Sequence, residues 1–439
     1  MTDALGHVTI YDWNDQGLVW RRIDPAGGEW LTEWGRNLNV LSRTDPLGHV
    51  TTFDYDAWGD LVAVTDPQGN RESWSYYLSG RIRSHTDVTG ATHVFRYDDR
   101  GSLASVEQPD GNFTRYRRAG NGQVLRVDYP GNRQERYYYD LLNRPRMLRT
   151  VAGFEQQMQF DGEGRLIRMT DEIRAETRWD YTRDALNPRG NMRAVRLADG
   201  STTTAEYDSE GLMIAATNGL GATRRYHFGA FDLFTGMTDE QGHELRFEHD
   251  ALTRLTAVIN QKGERYELTY DPCGRIVAER DYSGLVTTYD YDIAGRLIRS
   301  QAPDGTLRDY SRDALGQLTE VRYRRGAELS RTRFAYDAAG RIIRAESAES
   351  LVEYAYDIMG RVISEKQNGR EIRSEYAADG VGRVARTGDV LPLAASYNAA
   401  GQLAELRIGD HAPLRFAYDP RGLETMRELG CRFRADPGL

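Results

Sequence analysis

The sequence predicts an all-β protein, a long antiparallel sheet built from tandem β-hairpins of roughly 21 residues each. Three observations lead there. Two turn signatures recur in phase, the runs between them have strand character, and the composition favours turns and strands over a solid core.

The first signature is an Asp-Pro-x-Gly turn. Asp24-Pro25-Ala26-Gly27 returns as Asp45-Pro46-Leu47-Gly48 and Asp66-Pro67-Gln68-Gly69. Degenerate copies follow at Asp87-Val88-Thr89-Gly90, Gln108-Pro109-Asp110-Gly111 and Tyr129-Pro130-Gly131, each start 21 residues after the last. Aspartate accepts local backbone hydrogen bonds, proline presets φ, and glycine closes the turn.

The second signature, Tyr-Asp-x-x-Gly-Arg, interleaves with the first. Clear copies are Tyr270 to Arg275, Tyr291 to Arg296, Tyr336 to Arg341 and Tyr356 to Arg361. Asp271, Asp292, Asp337 and Asp357 therefore share one turn position. Gly274, Gly295, Gly340 and Gly360 share a second, and Arg275, Arg296, Arg341 and Arg361 a third. In Tyr139-Asp140-Leu141-Leu142-Asn143-Arg144 asparagine replaces the glycine, the substitution a left-handed position tolerates best.

Between the turns lie runs such as His49 to Tyr55 and Leu61 to Thr65. Alternation puts Thr51, Phe53 and Tyr55 on one face. Strand, turn, strand, turn is a hairpin unit, and hairpins in series extend one sheet. The array is read as a single continuous domain over 1–439, with slips near Asp180 to Met192 and Phe228 to Met237. Hydrophobic residues make up 39% and mean hydropathy is −0.65, which suits a sheet wet on both faces better than a filled core.

Charge and motifs narrow the function. A net charge of −9 argues against a nucleic-acid partner held by a bulk electrostatic footprint. Of the 57 basic residues only Lys262 and Lys366 are lysines. Cys273 and Cys431 form no disulfide framework or zinc spacing. His243 to His249 places its second histidine too late for one helix face, so no metal site is expected. No phosphate-binding loop or nucleophile elbow occurs, no cofactor is expected, and no apolar run is long enough to span a bilayer. The repeated Asp and Arg recur too often for a catalytic pair. They read as turn caps with ion pairs between strands, and the tyrosines as a stack along the sheet.

This paired, in-phase series resembles the YD repeat of the Rhs family over nearly the whole chain. The resemblance implies a β-ribbon spiralling into a hollow cocoon, open where the array is partial, that encloses a C-terminal toxin. It implies a non-catalytic shell of a bacterial polymorphic toxin or type VI secretion effector, made in the cytoplasm and delivered to competing cells. The implied partners are the enclosed toxin polypeptide, secretion tip or spike proteins and a chaperone. The alternative is an extracellular carbohydrate-binding or adhesion scaffold, with Tyr291 and Tyr356 facing the glycan.

The repeats run to both ends, so neither a tip domain nor a toxin domain is read within the chain. Family members cut themselves near an Asp-Pro-x-Gly-Leu motif. Asp436-Pro437-Gly438-Leu439 resembles it less one residue, which makes Asp436 the candidate for autoprocessing. The competing reading is a truncated next repeat.

Overall fold

The two turn signatures share one backbone geometry. In a computed structural model, the Asp292 carbonyl accepts from the Gly295 N–H at 2.9 Å, and the Arg296 carbonyl from the Asp292 N–H at 2.9 Å. The Asp292 carboxylate accepts from the Arg296 N–H at 2.8 Å. The Asp24 turn repeats the pattern: Gly27 donates to the Asp24 carbonyl, and Ala26 and Gly28 donate to its carboxylate. Gly295 sits at φ 85° and Asn143 at φ 65°, the left-handed conformation that closes the loop.

The structure describes residues 1–182, 190–377, 383–387, 390–398, 400–419, 422–430 and 433–435. Among these are forty-one strands and two short 3₁₀ turns, and no α-helix. Strands consecutive in sequence pair antiparallel: Val50–Tyr55 with Leu61–Thr65, and that strand with Arg71–Tyr76. In Val50–Tyr55 exposure alternates along the strand, with Thr51, Phe53 and Tyr55 on the more covered face.

Register adds a device the repeat does not announce. Tyr291 opposes Leu297 while Asp290 opposes Arg299, so Ile298 is an extra residue. The same bulge recurs beside Tyr55, Tyr270 and Tyr336. A bulge bends its strand and increases twist, so each Tyr-Asp hairpin adds an increment of curvature.

There is almost no core. Among the described residues the buried hydrophobic side chains are Ala63, Ala91, Val127, Ala215, Ala257 and Ile259, and no large side chain is fully buried. The accessible surface is 27,630 Å², whereas a compact monomer of this mass exposes ~17,000 Å². Stability therefore rests on many small contacts between neighbouring strands rather than on a buried centre.

Of the two expected slips, the one near Asp180 to Met192 falls largely on residues 183–189, outside the described residues. Near Phe228 the chain makes a 3₁₀ turn, Ala230–Asp232, with Phe231 and Asp232 at positive φ. A further irregularity lies where none was anticipated. Leu318–Arg325 and Glu328–Tyr336, of 8 and 9 residues, form a longer hairpin than the usual strands of 5 and 6.

Contacts divide the chain into two units, each drawn from two stretches. Met1–Thr92 combines with His227–Tyr354, and His93–Tyr226 with Ala355–Leu439. In the first unit the two stretches meet at their turns. Gln68 Nε2 donates to Asp313 Oδ2 at 2.8 Å. The Cys273 thiol rests against the Ala26 backbone, and burial pushes its pKa up. Gly28 lies so close to Ile293 that a Cβ built on it would stand 2.7 Å from the Ile293 carbonyl oxygen.

Candidate functional surface

The aspartate and arginine of each Tyr-Asp-x-x-Gly-Arg copy meet within their own turn. Arg275 Nε donates to Asp271 Oδ2 at 2.5 Å, Arg296 to Asp292 at 2.7 Å, Arg341 to Asp337 at 2.7 Å and Arg361 to Asp357 at 2.7 Å. These pairs lie inside single turns, four residues apart, rather than between strands as the sequence suggested. The reason is geometric: the tight loop returns the arginine beside its own aspartate, nearer than any neighbour.

Continuity between repeats comes from the rest of the guanidinium and from the tyrosine. Arg275 lies over the Tyr291 ring, 5.0 Å from its centroid, and its Nη1 donates to the Asp292 carbonyl at 3.3 Å. The Tyr291 hydroxyl donates to the Ile276 carbonyl at 2.8 Å. Tyr270 does the same to Leu255, Tyr181 to Leu166 and Tyr139 to Val124, each fifteen residues back, while Tyr336 reaches Leu318, eighteen back. Arg254 lies over Tyr270 and Arg361 over Tyr376. The motif is thus a staple joining each repeat to the next.

This placement bears on the tyrosines singled out as glycan-facing. Tyr291 is half-buried, its hydroxyl engaged and one ring face occupied by Arg275. Tyr356 is likewise half-buried at the equivalent position. Asp436 lies outside the described residues.

The two faces of the sheet differ in chemistry. One carries Tyr266, Leu268, Tyr270, Glu279, Tyr289 and Tyr291. Here Glu279 accepts from Tyr266 and Tyr289. The Glu279 hydrogen bond and then burial push the Tyr266 phenol up to about 12. For Tyr289 burial is the larger cause, with the same result of about 12. A second carboxylate, Glu135, accepts from Tyr129 at 3.0 Å and Tyr137 at 2.7 Å. All these phenols stay protonated at neutral pH, so they act as donors and not as bases.

The opposite face is a mat of ion pairs. Arg265 grips Glu248 with both Nη atoms, at 2.9 and 2.7 Å, and reaches Glu267 with Nε at 3.2 Å. Ala257 lies between those two glutamates in register and is 1% exposed, roofed by the arginine. Arg71 spans to Asp54 at 2.7 Å in the same way above Ala63, which is fully buried. The sequence showed none of this, because the partners sit 17 residues apart on strands separated by a third.

Among the described residues no group of three or more His, Cys, Asp or Glu is placed to hold a metal ion. Nor, among the described residues, is any helix long and apolar enough to cross a membrane.

A serial array of stapled hairpins in an open antiparallel sheet defines a repeat scaffold. Its relatives agree. The teneurin YD-shell model matches residues 192–326 and 230–379, and the RHS repeat model matches residues 36–71. Both models describe Rhs/YD repeats, and over these residues the chain is similar to that family. Among solved structures it shares the fold of a TcdB2-TccC3 complex lacking its hypervariable C-terminal region, at TM-score 0.58 and 14% identity over 96% of this chain. A TcdB2-TccC3-Cdc42 structure matches at TM-score 0.57 and 13% identity, also over 96%. This chain spans only 28% of either of those chains. A comparison with curated protein sequences returns no match.

Proposed function

We propose that the chain is a segment of a non-catalytic shell that encloses a polypeptide toxin and isolates it until delivery. The observation that carries this reading is the sparse core: among the described residues no large side chain is fully buried, and one face of the sheet is rich in tyrosine. Repeated bulges, each adding bend in the same register, supply the means to curve such a sheet round a guest. The likeness to TcdB2-TccC3 structures supports the reading at the level of fold. The aspartates and arginines of the Tyr-Asp-x-x-Gly-Arg turns are engaged with one another in the staples, which supports a scaffold role for them.

In this reading the shell is bacterial, made in the cytoplasm and exported with its cargo. The cargo is a toxic C-terminal polypeptide, and tip or spike proteins and a chaperone of a type VI system are its partners in delivery against competitors. The test is protection. A passenger polypeptide fused after Leu439 in the full gene product is expected to resist added protease while the shell is intact and to be digested once the shell is unfolded. Digestion of the native fusion at the rate of the free passenger would overturn the proposal.

A further inference from the structure

The stretch Phe113 to Thr150 carries nine arginines and only three carboxylates, inside a chain of net charge −9. All three carboxylates are committed. Asp140 binds Arg144 at 2.7 Å, Glu135 accepts from two tyrosines, and Asp128 binds Arg126 at 2.5 Å and Arg117 at 3.8 Å. Four of the arginines are aligned in register across adjacent strands: Arg117 opposes Arg126, Arg126 opposes Arg136, and Arg136 opposes Arg149. All four lie on the face opposite Tyr116, Val127 and Glu135. Neighbouring strands are about 4.8 Å apart, and like charges directly opposite one another destabilise a sheet.

Elsewhere on this protein the same arrangement is neutralised. Arg168 opposes Arg178, and Glu176 sits between them, bound to both. Glu320 likewise binds Arg322 and Arg333. Within the row itself, Arg117 and Arg126 share Asp128, which leaves the Arg136 and Arg149 half uncompensated. Arg136 and Arg149 have no such carboxylate among the described residues. Arg136 reaches only the neutral Gln134 at 3.4 Å, and Glu155, opposite Arg149 on its other side, makes no ion pair with it.

We infer that the Arg117–Arg126–Arg136–Arg149 row is a docking surface for an acidic polypeptide segment, with an aspartate or glutamate side chain seated between Arg136 and Arg149 as Glu176 sits between Arg168 and Arg178. The planar guanidinium fork suits a carboxylate, and the protein uses that pairing three times on its own residues. The inference commits to an acidic polypeptide partner and is independent of the shell reading, since it rests on the register and charge of these arginines alone.

The experiment measures binding of a fluorescent oligoglutamate peptide to the full chain at low and at physiological salt. Binding that weakens with salt, and a dissociation constant about tenfold higher in Arg136→Gln/Arg149→Gln, are expected. The control Arg36→Gln/Arg370→Gln removes the same charge from exposed positions elsewhere and is expected to bind like wild type. Arg149→Lys keeps the charge but not the fork, and is expected to bind more weakly than wild type. Relief of the like-charge contact should leave the melting temperature of the Arg136/Arg149 variant no lower than wild type. No peptide binding, equal loss in both double variants, or tighter binding of a sulfated oligosaccharide or an oligonucleotide through the same arginines would overturn the assignment. So would a variant that melts earlier yet binds unchanged, which would make the row structural.

Discussion

The Tyr291 hydroxyl donates to the Ile276 carbonyl 2.8 Å away, tying one hairpin to the hairpin before it. That carbonyl sits where the bulge beside Tyr270 interrupts regular pairing, since Ile276 opposes Tyr270 and the next pairing is Ala278 with Thr269. The tyrosine therefore supplies a donor where the ladder is disturbed.

Replacing it tests the staple. Tyr291→Phe keeps the ring under Arg275 but removes the donor. A loss of about 1 kcal/mol in unfolding free energy is expected, the usual net value of such a bond. Hydrogen exchange should quicken locally in Ile276–Arg280 and Val286–Tyr291 rather than throughout, because each repeat contacts chiefly its neighbours. A protection pattern unchanged at these strands would refute the staple.

The contact of Gly28 with Ile293 makes a long-range prediction. An added Cβ would stand 2.5 Å from Asp24 Oδ2 and 2.7 Å from the Ile293 carbonyl oxygen. Gly28→Ala should destabilise the first unit by about 1–3 kcal/mol, the range for overpacked sites. Cys273, beside Ala26 on the same seam, should react faster with a thiol reagent in this variant. Equal reactivity would show that the seam tolerates the methyl.

Ala257 tests the ion-pair mat. Leucine there would push against the Arg265 bridge to Glu248 and Glu267. Ala257→Leu is expected to lower urea stability by about 1–3 kcal/mol despite its greater apolarity. An increase would mean that the roof is loose enough to rearrange.

Acid should loosen the turns. Burial tends to raise the pKa of Asp250 and Asp357, but hydrogen bonds from Arg254 and Arg361 outweigh it and hold both below the ordinary 3.8. A depressed carboxylate contributes stability that is complete above the unfolded pKa and is lost as pH falls through the folded value. The contribution of these aspartates should be constant from neutral pH to about pH 4 and decline below it. Comparing urea midpoints of wild type and Asp250→Asn across pH 2 to 7 checks this: the gap between them should close below about pH 4. A gap that persists at pH 2 would refute the ionic role.

Much of this was legible because the repeat is local. Asp292, Gly295 and Arg296 meet within five residues, so their turn could be read from spacing and residue type alone. The bond from Tyr291 to Ile276 was not legible, because a hydroxyl aimed at a backbone carbonyl leaves no residue type to recognise. Nor was the longer hairpin around Gly326, since a three-residue excess between Gly316 and Gly340 carries no turn signature of its own.

By itself, the sequence determined the hairpin unit, the left-handed turn positions, the tyrosine-bearing face and membership of a repeat series, all set by interactions within about one repeat. Only the tertiary structure decided the bulges that recur at Tyr-Asp turns, the meeting of Gly28 with Ile293, the division into two units and the alignment of Arg117, Arg126, Arg136 and Arg149. The physical reason is that these depend on accumulated twist and register. Each hairpin contributes a small rotation, and which distant turns and charges meet is the sum of many such rotations, which no single repeat encodes.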